Sequence, residues 1–165
     1  MFRRFAVAAA IVLSVTACHP KPRSKPPADT SANAAFLAKN AKEAGVVALP
    51  DGLQYKIVTS GPADGEKPRA QDEVKVNYEG SLLSGEVFDA SSKHGGPAIF
   101  TLNEVIPGWT EVMQLMRPGD EWVVWIPPEL GYGSEDKGAI PPNSVLKFRV
   151  QLLGVLKHDL PPAQG

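Results

Sequence analysis

Apolar and polar residues alternate along four stretches of the chain, with an apolar side chain at every second position. The apolar sets are Leu53-Tyr55-Ile57, Val74-Val76-Tyr78, Trp122-Val124-Ile126 and Leu146-Phe148-Val150-Leu152. A period of two is typical of antiparallel strands with one face on a core. We therefore predict half-buried strands at these positions, with Tyr55 in the core. Trp125 lies on the opposite strand face from Trp122, so we predict that its side chain is exposed. We assign it no functional role.

A different period occurs between the second and third of these sets. Trp109, Val112, Met113 and Met116 are spaced i, i+3, i+4 and i+7, which places them on one face of a helix. Pro107-Gly108 stands at its start and Pro118-Gly119 at its predicted end. The predicted fold class is α+β, with an antiparallel sheet packed on one central helix.

A second, shorter helix is predicted near the N-terminus. Residues Asn33 to Ala44 have an alanine-rich composition that favours a helix, and Gly45 is placed to stop it. The apolar stripe is thin, consisting of Phe36, Leu37 and Ala41. We expect a short helix that packs on the domain.

The first residues have the features of an export signal. Arg3 and Arg4 precede an apolar run from Phe5 to Ala17, which is shorter than the ~20 residues of a membrane span. The run ends in Val-Thr-Ala before Cys18, a pattern that resembles the bacterial lipobox. The alternative is an ordinary signal peptide cut near Ala17, with an incidental cysteine. We expect lipidation of Cys18 and anchoring to a bacterial membrane in the cell envelope, facing the periplasm.

These patterns divide the chain into five segments. Residues 1–17 are the predicted lipoprotein signal peptide and residues 18–30 a Pro/Lys-rich linker, whose cations contact anionic lipid or only keep a spacer soluble. Residues 31–50 hold the short helix and its connection, and residues 51–157 the folded domain. Residues 158–165 are predicted to be a disordered tail.

Composition and charge exclude several classes of function. The net charge of the 165 residues is −1, and it becomes −3 (15 − 18) without Arg3 and Arg4, so no nucleic-acid partner is expected. Cys18 is the only cysteine, and His19, His94 and His158 are far apart, so no metal site is expected. Phosphate-binding loops, dinucleotide motifs and serine-hydrolase motifs are missing from the sequence, and we expect no cofactor.

Aromatic residues are concentrated near the predicted turns. They are Tyr78, Phe88, Phe100, Trp109, Tyr132 and Phe148. Such side chains can line an apolar pocket into which a few polar groups, such as tyrosine hydroxyls, project. They can equally be the core of a small sheet protein, and composition alone leaves both interpretations open.

The order of the motifs distinguishes between these interpretations. The series is V-x-V-x-Y-E-G (Val74 to Gly80), G-E-V-F-D-A-S (Gly85 to Ser91), V-I-P-G-W-T-E (Val105 to Glu111), M-R-P-G-D (Met116 to Asp120), I-P-P-E-L-G-Y-G (Ile126 to Gly133), I-P-P-N-S (Ile140 to Ser144) and L-K-F-R-V-Q-L-L (Leu146 to Leu153). This series closely resembles the FKBP-type peptidyl-prolyl isomerases, which bind tacrolimus and rapamycin. The resemblance spans about Gly52 to Val155.

The resemblance implies a fold, an activity and a site. The fold is a half-open antiparallel sheet wrapped around one helix, and the activity is cis–trans isomerisation of the peptide bond before proline in polypeptide substrates. By resemblance, Asp89, Tyr132 and Ile106 are the catalytic positions. The substrate-binding positions are Tyr78, Phe88, Val105, Trp109 and Phe148, with Trp109 as the pocket floor. An alternative is a proline-binding chaperone module of the same fold with little isomerase activity.

Three features differ from better-known family members. Pro97-Ala98 stands where those members have an aromatic residue after the proline, so one wall should be lower and drug binding weaker. The loop Ser134 to Gly138 is short and acidic, so substrate preference outside the proline pocket cannot be transferred. Larger envelope members dimerise through a long helical region, and the short helix here predicts a monomer.

Overall fold

A computed structural model describes residues 25–157 of the chain. The predicted signal peptide, the predicted lipidation site Cys18, most of the predicted linker and the predicted C-terminal tail lie outside the described residues. Neither helix in the described range has the length and apolar character needed to cross a membrane.

A seven-stranded antiparallel sheet forms the body of the domain. Its strands are β1 (Val46–Ala48), β2 (Gln54–Thr59), β3 (Glu73–Leu82), β4 (Val87–Ala90), β5 (Ala98–Thr101), β6 (Glu121–Ile126) and β7 (Leu146–Leu156). The order is β1-β2-β6-β7-β3-β4, and β5 also pairs directly with β3, along the first half of that strand, whereas β4 pairs with the second half. Together with two α-helices and three short 3₁₀ helices in the described range, this confirms the predicted α+β class.

The two longest strands, β3 and β7, pair along their whole length and carry the alternation predicted from the sequence. Val74 and Val76 on β3 are fully buried, as are Leu146 and Leu152 on β7. Their polar neighbours point away from the core, so each strand has one apolar face. The buried face is covered by the central helix.

The central helix, α2, spans Pro107–Met113 and packs Trp109, Val112 and Met113 into the core. It is shorter than predicted. Leu115 and Met116 donate their N–H groups to carbonyls three residues back, at 3.0 and 3.1 Å, so the chain leaves the helix through tight turns. Met116 is still fully buried, which explains why its spacing fitted a longer helix.

The N-terminal helix, α1, spans Thr30–Asn40, so the predicted bounds of 33 and 44 are both wrong. It begins earlier because Oδ1 of Asp29 accepts the N–H groups of Ser31 (2.9 Å) and Ala32 (3.2 Å), which caps the helix. The segment before it also contacts the domain, since the Ala28 N–H donates to the Pro142 carbonyl at 2.8 Å and Lys25 pairs with Glu86. Residues 25–29 are therefore not a free spacer.

Polar side chains attach α1 to β2 and to the turn before β7. Asn33 donates to the Asn143 carbonyl at 2.7 Å, and Asn40 donates to Oε1 of Gln54 at 2.9 Å. Gln54 in turn donates to the Leu37 carbonyl at 2.9 Å. The predicted apolar stripe is only partly buried, whereas Asn33 and Asn40 are buried.

Two predictions about strand faces are wrong near this contact. Gln54 is buried and Ile57 is 47 % exposed, the reverse of what the alternation predicts for these two residues. Leu53 is fully buried as predicted, and Tyr55 is partly buried against the core. Trp125 is also buried rather than exposed, at 8 %. Trp125 is the register partner of Gln54, and Gln54 is bonded to α1, so the helix lies beside this part of the outer face.

Candidate functional site

A cavity of about 310 Å³ opens beside the start of α2. Its lining consists of Tyr78, Phe88, Asp89, Phe100, Glu104, Val105, Ile106, Trp109, Tyr132 and Phe148. The eight residues predicted for the site are all in this set, although they come from β3, β4, α2, β7 and two loops. The structure thus brings them together around one space.

Trp109 is the centre of an aromatic cluster in this cavity. Its ring meets those of Tyr78 (5.4 Å between centroids), Phe100 (5.4 Å) and Phe148 (5.3 Å), each nearly edge-on. Phe88 meets Phe148 edge-on at 5.6 Å. Edge-to-face packing is the favoured geometry for aromatic pairs, so these rings fix one another in place.

Gly80 on β3 allows two of the rings to approach the sheet. A Cβ atom at this position would lie 2.6 Å from ring atoms of both Phe88 and Phe148. Any side chain there would therefore displace one of the rings. Gly80 pairs in register with Phe148 on one side and with Asp89 on the other, so it lies between two elements of the site.

Phe100 and Glu104 line the cavity without having been assigned to the site, and Phe100 was named only among the aromatic residues that could line a pocket. Phe100 lies two residues after Ala98 on β5, so both side chains are on the same strand face. Ala98 is not part of the lining, whereas the larger Phe100 is. The sequence offered two signals for Phe100, its place in the aromatic set and its position on the same strand face as Ala98. Glu104 directly precedes Val105, and nothing in its spacing indicated a position at the cavity.

Asp89 is held by three contacts at the edge of the cavity. Its Oδ2 accepts the Tyr78 hydroxyl at 2.6 Å, and its Oδ1 accepts the Ala90 N–H at 2.8 Å and lies 2.8 Å from His94 Nε2. Burial acts to raise the pKa of Asp89, but the contacts with Tyr78, His94 and Ala90 outweigh it and lower the pKa. The carboxylate is thus ionised and fixed in orientation at neutral pH.

The pKa of Tyr78 is shifted in the opposite direction. Burial, together with its hydrogen bond to Asp89 and the charge of that carboxylate, raises the pKa of the Tyr78 phenol well above its usual range. Tyr78 therefore remains a neutral donor to Asp89 and a wall of the cavity.

Two further groups at the cavity are free to donate hydrogen bonds. The Ile106 carbonyl accepts the N–H groups of Trp109 (2.9 Å) and Thr110 (3.2 Å), but within residues 25–157 its own N–H has no acceptor. The Tyr132 hydroxyl likewise has no partner among the described residues. Tyr132 is positioned by its loop, where the Asn143 N–H donates to the Gly133 carbonyl at 2.7 Å.

The arrangement is suited to binding a small apolar ring next to polar backbone groups. The rings supply the apolar surface, and the two free donors can donate hydrogen bonds to carbonyl oxygens of a bound chain. Among the described residues, acids, histidines and cysteines form no group of three that could hold a metal ion.

Two family descriptions match successive parts of the chain. Residues 64–153 match the family described as FKBP-type peptidyl-prolyl cis-trans isomerase, and residues 17–57 match the domain amino-terminal to it. The outer membrane protein MIP of Legionella longbeachae is 48% identical over 124 residues, which are 74% of this chain and 52% of that protein. The chain spans about half the length of the first curated relatives it matches.

Solved structures agree with these matches. The crystal structure of FkpA from Escherichia coli has a TM-score of 0.72 and 44% identity, covering 76% of this chain and 58% of that one. A peptidyl-prolyl cis-trans isomerase from Pseudomonas syringae has a TM-score of 0.72 and 35% identity, covering 78% of this chain and 93% of that one. This chain therefore belongs to the family of FKBP-type peptidyl-prolyl cis-trans isomerases.

Proposed function

We propose that this protein accelerates cis–trans isomerisation of the peptide bond before proline and so assists the folding of other polypeptides. The observation that carries the proposal is the aromatic cavity around Trp109, which has two free hydrogen-bond donors at its side. A proline ring is a compact apolar group that such a cavity can enclose.

The reaction requires rotation about a bond with partial double-bond character. The barrier is ~18–20 kcal/mol, because rotation breaks the resonance between the nitrogen and the carbonyl. Before proline the two isomers are similar in energy, yet they exchange in tens to hundreds of seconds. The twisted transition state has lost the charge separation of the planar amide, so an apolar, water-poor site favours the twisted form relative to the planar one.

The lining residues have distinct roles in this proposal. Trp109 forms the floor on which the proline ring packs, with Tyr78, Phe88, Val105 and Phe148 around it. The Ile106 N–H and the Tyr132 hydroxyl bind carbonyls of the substrate and hold its chain in the twisted form. Asp89 is the fixed negative charge that orients the substrate at the edge of the cavity. No covalent step, proton transfer, metal or cofactor enters this scheme.

A rate measurement tests the proposal. We expect the purified protein to accelerate isomerisation of a short peptide with an apolar residue before proline, since the cavity is largely apolar. Binding should be followed separately through tryptophan fluorescence. Binding without acceleration would favour the alternative of a proline-binding chaperone module. A protein that neither binds nor accelerates would overturn both.

We also propose that the protein acts in the bacterial cell envelope, attached by lipid on Cys18. The support is the Val-Thr-Ala-Cys sequence and the similarity to a relative named as an outer membrane protein. Cys18→Ser should abolish lipid incorporation and leave the precursor uncut, as seen by mass spectrometry of the membrane fraction. A wild-type protein without lipid mass, or normal maturation of the variant, would contradict the anchor.

A further inference from the structure

A second concave surface lies next to the cavity. It is an open groove of about 630 Å³, lined by Asn103, Val105, Pro107, Thr110, Glu111, Gln114 and Leu115. Val105 belongs to the lining of both the groove and the cavity. The two surfaces are therefore continuous across this one side chain.

The path of the chain explains this continuity. Glu104 lines the cavity, whereas its neighbour Asn103 lines the groove. In α2, Trp109 faces the cavity, and the next residues, Thr110 and Glu111, face the groove. The two surfaces thus lie on either side of the start of α2 and meet at Val105, so a bound chain that leaves the cavity over Val105 arrives in the groove.

The groove is suited to an apolar side chain. Val105, Pro107 and Leu115 supply apolar surface, and Leu115 is partly buried against the core. Three of its polar side chains already have internal partners. The Thr110 hydroxyl donates to the Leu102 carbonyl, Gln114 donates to the Thr110 carbonyl at 2.8 Å, and Glu111 shares a hydrogen bond with Asp51. The Asn103 side chain is exposed and has no partner among the described residues, so it remains available to a bound backbone.

We propose that the groove binds residues flanking the proline of the same substrate chain, and that it selects an apolar side chain there. This inference rests on the proposed isomerase function, because the occupant enters through the proline cavity. An extended chain advances about 3.3 Å per residue. A substrate chain that crosses Val105 therefore places in the groove a residue that is a few positions away from the proline. A short test peptide does not extend that far.

Two peptides separate the groove from the cavity. One is a four-residue peptide centred on the X-Pro bond, and the other extends it by four residues on each side, with leucines in the extensions. We expect kcat/KM of the wild-type protein to be about fivefold higher for the long peptide, through a lower KM, because one more apolar side chain leaves water.

Variants then locate the effect. Leu115→Asn should remove the preference for the long peptide while the rate with the short peptide is unchanged, which also reports an intact fold. Asn103→Lys, at an exposed position, should reduce the preference for leucine extensions and increase it for aspartate extensions. Val58→Asn is the matched control, since Val58 is 47 % exposed on β2 and not part of the groove.

The outcomes distinguish the two proposals. If the wild-type protein is active but treats both peptides alike, or if Leu115→Asn and Asn103→Lys keep the preference, the groove proposal is wrong and the isomerase function stands. If the protein does not accelerate the short peptide, the isomerase function is wrong. In that case the affinities for the short and the long peptide, measured by tryptophan fluorescence, still test the groove. Equal affinities would overturn the groove proposal.

Discussion

At the scale of single residues, Asp89 has the most contacts of any polar group at the cavity. It accepts bonds from a tyrosine hydroxyl and a backbone amide and contacts a histidine, and its carboxylate is held on the rim of an apolar space. Removing its charge changes the polarity of the site without removing any aromatic ring. Asp89 is therefore the position at which charge and packing can be tested separately.

We expect Asp89→Val to lower kcat/KM for X-Pro isomerisation about tenfold, which corresponds to about 1.4 kcal/mol of transition-state stabilisation. The reason is that the substrate loses a fixed charge and Tyr78 loses its acceptor. Asp64→Val, at an exposed position outside the cavity lining, is the control. Equal rates for wild type and a well-folded Asp89→Val protein would remove Asp89 from the site.

Glu111 gives a prediction about pH. A hydrogen bond with Asp51, together with burial and the nearby charge of Asp51, raises the pKa of Glu111 from 4.5 to about 7. The folded state therefore holds this proton more tightly than the unfolded state does. The stability that this group contributes is present below pH 4.5 and is lost as the pH rises through 7.

Unfolding by urea at a series of pH values measures this effect. Between pH 4.5 and 7.5, we expect the free energy of unfolding to fall by about 1 kcal/mol more for wild type than for Glu111→Gln. This free-energy difference is smaller than the full pKa shift would give, because Glu111 is partly exposed and solvent weakens its interactions. Parallel pH profiles of the two proteins would show that Glu111 and Asp51 do not share a proton.

At the scale of elements, α1 is attached by amide hydrogen bonds rather than by an apolar stripe. We expect Asn40→Ala to lower the free energy of unfolding by about 1–2 kcal/mol, because it leaves the buried Gln54 without one partner. Lys42→Ala, on an exposed side chain in the turn after the helix, is the control. Thermal unfolding of both variants gives the comparison, and equal midpoints would show that this contact adds no stability.

The strand β5 determines the height of one cavity wall. Ala98 is outside the lining, and Phe100 is within it. If the cavity binds tacrolimus or rapamycin, as the family resemblance implies, Ala98→Phe should tighten binding, by roughly tenfold if the new ring is fully covered. Calorimetric titration measures this affinity, with Ile99→Phe on the opposite strand face as the control. Unchanged or weaker binding by Ala98→Phe would contradict this account of the wall.

The sequence predicted some elements better than others for physical reasons. The strands β3 and β7 and the core face of α2 were predictable because Val74, Val76, Trp109 and Val112 obey local periods. The faces of β2 and of Trp125 were not, because they depend on where α1 docks, and that contact joins segments distant in sequence. The set of residues at the cavity came from the ordered motifs, and Phe100 and Glu104 lie between the residues that those motifs emphasise.

At the scale of the whole molecule, α1 uses its buried asparagines on its own domain. The remaining partly buried apolar residues, such as Phe36 and Leu37, offer little surface to a second copy. We therefore propose a monomer. Sedimentation of the protein without its signal segment at micromolar concentration should give one species of monomer mass. A stable dimer that is lost on deletion of residues 31–46 would show that α1 mediates association.

The pairing of β3 with β7 has a consequence for the order in which the protein acquires its site. β3 ends at Leu82, and its neighbour β7 does not begin until Leu146, yet each provides a wall of the cavity. During synthesis from the N-terminus, Tyr78 and Trp109 emerge well before Phe148. Contacts between segments so distant in sequence form slowly. The nascent chain therefore passes through a period in which its aromatic residues are exposed, and the cavity is complete only after β7 has paired with β3.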